Sequence, residues 1–217
     1  MSDAPAADVP DASGLETVTA RIGGVEVRAT ARARMAPLAQ GVLNQVAALG
    51  TAPVDGLAAA PGWGPFTLRA RDGGFVVVAP AYETDAAQET EDLSHALTID
   101  LEQVRVAGAS RARATFARFD QRVIGVRGCL DAPALLLKRD HVTNPTDSGW
   151  FVEPFPPTAD RSWTPERLAA WPAWEVARRR WDVGRALALP HGYVAVVEAG
   201  RVVQVRDASD AVVGEDL

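Results

Sequence analysis

The 217-residue chain has one cysteine, Cys129, one lysine, Lys138, and three histidines, His95, His141 and His191. A lone cysteine excludes an internal disulfide and a thiolate metal cage, which makes a reducing, cytoplasmic setting the expected one. The histidines are far apart, with no second His or Cys at a metal-ligand spacing, so neither a metal nor a cofactor is expected. No apolar run approaches the roughly 18 residues of a membrane span, and Met1–Pro5 does not begin a basic-then-apolar leader. No membrane partner is expected. A phosphate cradle is also missing: Gly62-Trp63-Gly64 and Gly73-Gly74 belong to no G-x-x-x-x-G-K or G-x-G-x-x-G pattern. Gly108-Ala109-Ser110-Arg111-Ala112 lacks the closing glycine of a nucleophile elbow.

What is present is charge in blocks. The formal net charge of −6 is concentrated at the ends: residues 1–16 and 207–217 carry −8 between them, leaving +2 for the body. Asp72 to Val104 holds eight acids and no Lys or Arg, whereas Arg105 to Arg127 holds six arginines against Asp120 alone. The acids Glu83, Asp85, Glu89, Glu91 and Asp92 are the candidate partner-binding residues, able to steer a basic surface. Arg178-Arg179-Arg180 lies among Trp171, Trp174 and Trp181. The seven-residue spacing of Trp174 and Trp181 marks core anchors on one helical face, so no nucleic-acid partner is expected.

Hydrophobic pattern and turn chemistry give an α+β chain with a mainly antiparallel sheet and two or three packed helices in a single domain. Residues 1–14 are expected to be a disordered acidic tail, residues 15–206 the domain, and residues 207–217 an acidic C-terminal tail. Hairpins are expected about Gly23-Gly24, Asp72-Gly73-Gly74 and Ala199-Gly200. Helices are expected over residues 36–49, along Leu93, Leu97, Leu101 and Val104, from Thr164-Pro165-Glu166 to a break at Pro172, and again from Trp174 to Trp181. Residues 51–62 and the acidic stretch Glu83–Asp92 read as loops, and Val123–Val126, Ala134–Leu137 and Phe151-Val152 as strands. Asp147-Ser148-Gly149-Trp150, after Asn144-Pro145-Thr146, reads as a turn anchored by its tryptophan.

Several motifs occur in a suggestive order: Gly62-Trp63 leading to Phe66-Thr67-Leu68, the Asp72-Gly73-Gly74 turn, the Asp92 to Gln103 helix, Leu136-Leu137-Lys138-Arg139, Asp147-Ser148-Gly149-Trp150, and Leu189-Pro190-His191-Gly192-Tyr193. In this order, over about residues 36–206, the chain resembles the bacterial immunity proteins numbered thirty-three among polymorphic-toxin systems. Where that family carries an acidic E-P-D-F string, this chain has Ala79-Pro80-Ala81-Tyr82, without either carboxylate. The resemblance implies a cytoplasmic, non-catalytic protein that binds and neutralises a cognate toxin in interbacterial competition. One alternative is a small hydrolase or ligand-binding enzyme using Asp147 and Ser148 with His141 or His191. Another is an adaptor that docks through exposed tryptophans such as Trp163 and Trp171.

Overall fold

The computed structural model describes residues 14–60, 62–157 and 163–217; the expected tail over residues 1–14 lies, but for Gly14, outside the described residues. They form two mostly antiparallel sheets with packed helices, an α+β fold. The chain divides into two compact units. One comprises the described residues of Met1–Ala59 with Phe66–Ala79 and Glu89–Leu97; the other comprises those of Ala60–Pro65, Pro80–Gln88 and Thr98–Leu217.

The first sheet begins with the hairpin β1 (Leu15–Ile22) and β2 (Val25–Arg32), which turns at Gly23 and Gly24, both at positive φ. Its order is completed by β5 (Gly74–Ala81), β4 (Phe66–Arg71) and the two-residue β3 (Ala58–Ala59), with β6 (Asp85–Thr90) pairing β5. β2 and β5 run parallel, whereas β1–β2, β3–β4 and β4–β5 are antiparallel. Alternate residues of β2, Val27, Ala29 and Ala31, point inward under α1 (Ala36–Ala48). The buried stripe of α1 is Ala39, Val42, Leu43 and Val46, a 3.6-residue period. Leu38 and Leu49, expected on that stripe, are exposed, one residue out of phase with it.

The second sheet has the order β10 (Leu168–Pro172), β7 (Arg122–Val126), β9 (Asp147–Pro154), β8 (Ala134–Arg139), β11 (Val194–Glu198), β12 (Arg201–Arg206) and β13 (Val212–Glu215). The β7–β9 pair is parallel and the others antiparallel. Inward residues Val123, Leu135, Leu137, Trp150, Val152, Ala195 and Val205 form its core face. The helices α3 (Ala173–Arg179) and α4 (Trp181–Ala186) contribute Val176, Ala177 and Val183 to the buried set and contact β7, β10, β11 and β12. Among the described residues no helix is long and apolar enough to cross a membrane.

Four local expectations need correction. The acidic stretch is not all loop, because Asp85–Thr90 is strand β6. Asp147-Ser148-Gly149-Trp150 opens strand β9; the turn is one step earlier, where the Asp147 amide donates to the Asn144 carbonyl. Thr164-Pro165-Glu166 starts only a single 3-10 turn over Pro165–Arg167, after which Leu168–Pro172 extends and pairs with β7. The helix α2 (Ser94–Ala109) buries Ala96, Ile99, Gln103, Val106 and Ala107, leaving Leu101 47% and Val104 50% exposed. Leu97 is buried on this face, as is Leu93 just before the helix, so two of the four residues that suggested α2 face the core and two, Leu101 and Val104, face outward.

Candidate functional site

Three of the late motifs meet in the second unit around Arg139. Its strand pairs β9 on one side and β11 on the other, which carries the side chain into the core beneath Trp150. The buried guanidinium donates through Nη1 to the carbonyls of Leu189 (2.6 Å), Leu187 (3.4 Å) and Thr115, and through Nε to the carbonyl of Ser148 (3.2 Å). It also lies 5.6 Å from the centroid of the Trp150 ring. Among the described residues no carboxylate pairs with it, and burial pushes its pKa down to about 10. Carbonyl dipoles carry the charge instead.

The surrounding motif residues complete the same cluster. Trp150 Nε1 donates to the Leu187 carbonyl at 3.1 Å. The Gly192 amide donates to the Arg139 carbonyl, the Arg139 amide to the Tyr193 carbonyl, and the Asp140 amide to the Gly149 carbonyl. Gly149 is required twice over: its φ is +82°, and a Cβ there would stand 2.2 Å from the Asp140 carbonyl oxygen. Ser148 is 2% exposed; its hydroxyl donates to the Arg122 carbonyl at 2.7 Å and accepts the Trp150 amide at 3.2 Å. Asp147 accepts from Arg122 Nε at 3.0 Å. The hydroxyl assigned to a nucleophile in the hydrolase reading is therefore spent on backbone. His141 and His191 do come together, stacked at 4.5 Å, and burial, Arg139 and His141 together hold His191 below its ordinary pKa.

A second cluster in this unit explains Gly62-Trp63-Gly64. The Trp63 amide donates to Asp100 Oδ1 at 2.8 Å, and the Phe119 amide donates to the Trp63 carbonyl at 3.0 Å. Tyr82 stands edge-on to Trp63 and Phe119, with ring centroids 6.3 and 5.5 Å away. A Cβ at Gly62 would meet Asp100 Oδ1 at 2.6 Å and one at Gly64 would meet the Tyr82 oxygen at 1.7 Å. The two glycines thus leave the space beside Trp63 that Asp100 and Tyr82 fill. Burial pushes the Asp100 carboxyl up to about 6, against the lowering effect of the Trp63 amide. Burial, followed by the charges of Asp100 and Asp120, raises the Tyr82 phenol far above its usual range.

The candidate partner-binding acids do not form a bare acidic face. Within the first unit, Glu89 accepts two hydrogen bonds from Arg69, one of them at 2.8 Å from Nε, which holds its carboxyl below the ordinary range. Glu91 is 3.8 Å from Arg71, and Asp92 accepts the Ser94 amide and hydroxyl at the start of α2. In the second unit, Asp85 accepts the Ala87 amide at 2.9 Å and Glu83 is exposed in the preceding turn. The pairing arginines come from β4, outside the arginine-free window that drew attention to the acids.

The tryptophan reading also changes. The chain leaves helical geometry at Arg180 (φ −136°, ψ 89°), so Trp174 and Trp181 stand on different helices and neither is a buried core anchor. Trp181 is 36% exposed beside Arg179 and Arg180, while the Arg178 guanidinium covers the Trp174 ring at 5.3 Å. Trp163 and Trp171 are half-buried, the former against Phe151. Cys129 is buried, and burial pushes its thiol up to about 11. Among the described residues no three His, Cys, Asp or Glu side chains are placed to hold a metal. The sequence shows Arg139 only as part of a motif and does not mark Asp100; the signals for them are the basic pair Lys138-Arg139 after the apolar run Ala134–Leu137 and an acid within a helix that also carries Ile99 and Val106. No protein-family model, curated protein or solved structure matches the chain.

Proposed function

We propose that the chain is a non-catalytic, cytoplasmic immunity-type protein that binds a protein toxin and neutralises it by occupying the toxin's working surface. The observation that carries this reading is the use made of the motif residues. Arg139, Ser148, Gly149 and Trp150 hold the chain's own backbone together, together with Leu187 and Leu189, while Gly62 and Trp63 do the same against Asp100. Such motifs maintain a scaffold, and a scaffold that presents a surface is what occlusion requires. An interface of about 1,200–2,000 Å² demands shape and charge, not bond chemistry. The acids proposed to steer a basic toxin are Glu83 and Asp85 in the second unit and, separately, Glu89, Glu91 and Asp92 in the first.

The deciding experiment is co-expression with the product of a toxin-like reading frame next to the gene, in cells which that product poisons. Protection, with the two proteins co-purifying, is the expected result; poisoning that continues with no complex formed overturns the proposal. Charge reversal of Glu83 and Asp85 to lysine is expected to slow association several-fold at low salt and to flatten its salt dependence. Stopped-flow traces unchanged by the substitutions would remove these two acids from the interface.

A further inference from the structure

The open face of the first unit's sheet contains a polar hollow of about 220 Å³. Strand register builds it: Thr17 on β1 is opposite Thr30 on β2, Arg28 on β2 is opposite Val76 on β5, and Arg71 on β4 is opposite Gly74. Gly74 lets β5 close on β2, since a Cβ there would stand 2.7 Å from the Glu26 carbonyl oxygen. The hollow has Val76 as its apolar wall, Thr17, Thr30, Arg28 and Arg71 as donors, and Asp72 and Glu91 as its acids.

Most of the donor hydrogens in it are unspent. Among the described residues Arg28 donates no hydrogen bond; its nearest carboxylate oxygen, on Asp72, is 3.6 Å away. Arg71 gives one bond, to the carbonyl of its neighbour Ala70, and stands 3.8 Å from Glu91. Both separations exceed hydrogen-bond reach. Elsewhere guanidiniums close on their carboxylates, as Arg118 does on Asp120 at 2.9 and 3.0 Å. Thr17 and Thr30 share one hydrogen bond of 2.9 Å, which uses one of their two hydroxyl protons. In the first pair the acid is the more solvated member, Asp72 being 88% exposed against 33% for Arg28, while Arg71 and Glu91 are equally exposed at 56%.

We infer that this hollow is a binding site for one oxyanion group, a carboxylate or a phosphate. Guanidinium forks donate two parallel hydrogen bonds to either group, and a threonine hydroxyl supplies a further donor. The volume is several times the roughly 30 Å³ of a water and below the roughly 300 Å³ at which pockets hold whole cofactors, so it takes the charged group and not a large molecule. Asp72 and Glu91 act as competitors for the same donors. Their removal strengthens binding, an effect that a purely structural role for the four charges does not produce. The inference rests on this geometry and is independent of the toxin reading.

The test is a titration of the full chain at low ionic strength, followed by backbone amide NMR, with inorganic phosphate in one arm and acetate in the other. Saturable shifts at Thr17, Arg28, Thr30 and Val76 are expected in at least one arm, and the arm that saturates at lower concentration identifies the source of the anion. Arg28→Gln with Arg71→Gln is expected to weaken binding at least tenfold. Asp72→Asn with Glu91→Gln is expected to tighten it several-fold, asparagine being tolerated at the φ of +49° that Asp72 adopts. Shifts that saturate in neither arm, binding undiminished in the double arginine variant, or no tightening in the acid variant would each overturn the site.

Discussion

Arg139 shows how a single residue type changes meaning with its surroundings. In an apolar strand an arginine would ordinarily end the buried run, yet here its donors join carbonyls from Thr115, from Ser148, and from Leu187 and Leu189, and so hold three chain segments to one point. Arg139→Met leaves those carbonyls without their donor and is expected to destabilise the chain by about 2–4 kcal/mol, read as a lowered urea midpoint. Asp100 has the opposite problem, a carboxyl whose charged form is disfavoured by burial. Because its folded pKa, about 6, lies above the unfolded value of 3.8, the folded state holds the proton more tightly and stability falls as pH rises between those values. The expected loss across that window is about 3 kcal/mol. Asp100→Asn keeps an acceptor for the Trp63 amide and is expected to flatten this part of the profile in urea titrations at pH 4 and pH 7.

At the scale of elements, periodicity located helices and strands well but did not always assign their faces. The period of α1 was right, while Leu38 and Leu49 fell outside its packed stripe; in α2, Leu101 and Val104 face outward. An apolar residue spaced at three or four positions is equally consistent with a neighbouring stripe when alanines fill the gap. Pro172 was legible as a break and a helix after it as well, but not that the residues before it extend into β10. Pairing with β7 is a long-range event that a window of local sequence does not contain. The seven-residue spacing of Trp174 and Trp181 failed for a related reason, the break at Arg180 between α3 and α4. Trp150→Ala is therefore expected to cost about 3–5 kcal/mol in chemical denaturation, and Trp181→Ala less than about 1 kcal/mol.

For the whole chain, the charge arithmetic has a structural counterpart. Half of the −8 at the two ends belongs to residues 207–217, and these continue the second sheet: Val212–Glu215 pairs with β12, the Leu217 amide donates to the Val202 carbonyl, and Asp207 organises the preceding turn through Ser209 and Ala211. The acids keep this added strand wetted on its outer side, and the strand covers the edge of β12. Removal of Val212–Leu217 is expected to lower hydrogen-exchange protection at the β12 amides that face β13, while those that face β11, and β8 and β9, stay protected. The eight-acid segment from Asp72 to Val104 is likewise not one surface, since Glu89 is matched by Arg69 from β4.

Local chemistry by itself determined the class of the chain, its hairpins and the extent of its first helix. Gly-Gly and Asp-Gly-Gly dipeptides set tight turns, and two- and 3.6-residue apolar periods set strands and helices, whatever the rest of the chain does. It also singled out Gly62, Trp63 and Asp147–Trp150 as distinctive. Tertiary structure decided what those residues are for. Whether a hydroxyl attacks a substrate or holds a carbonyl depends on what lies within about 3 Å of it, and for Ser148 that is the backbone of Arg122, 26 positions away in sequence. The partition of the arginines was decided in the same way: Arg139 on carbonyls, Arg69 on Glu89, and Arg28 and Arg71 beside a hollow with donors to spare, because strand register and not sequence distance sets which charges meet.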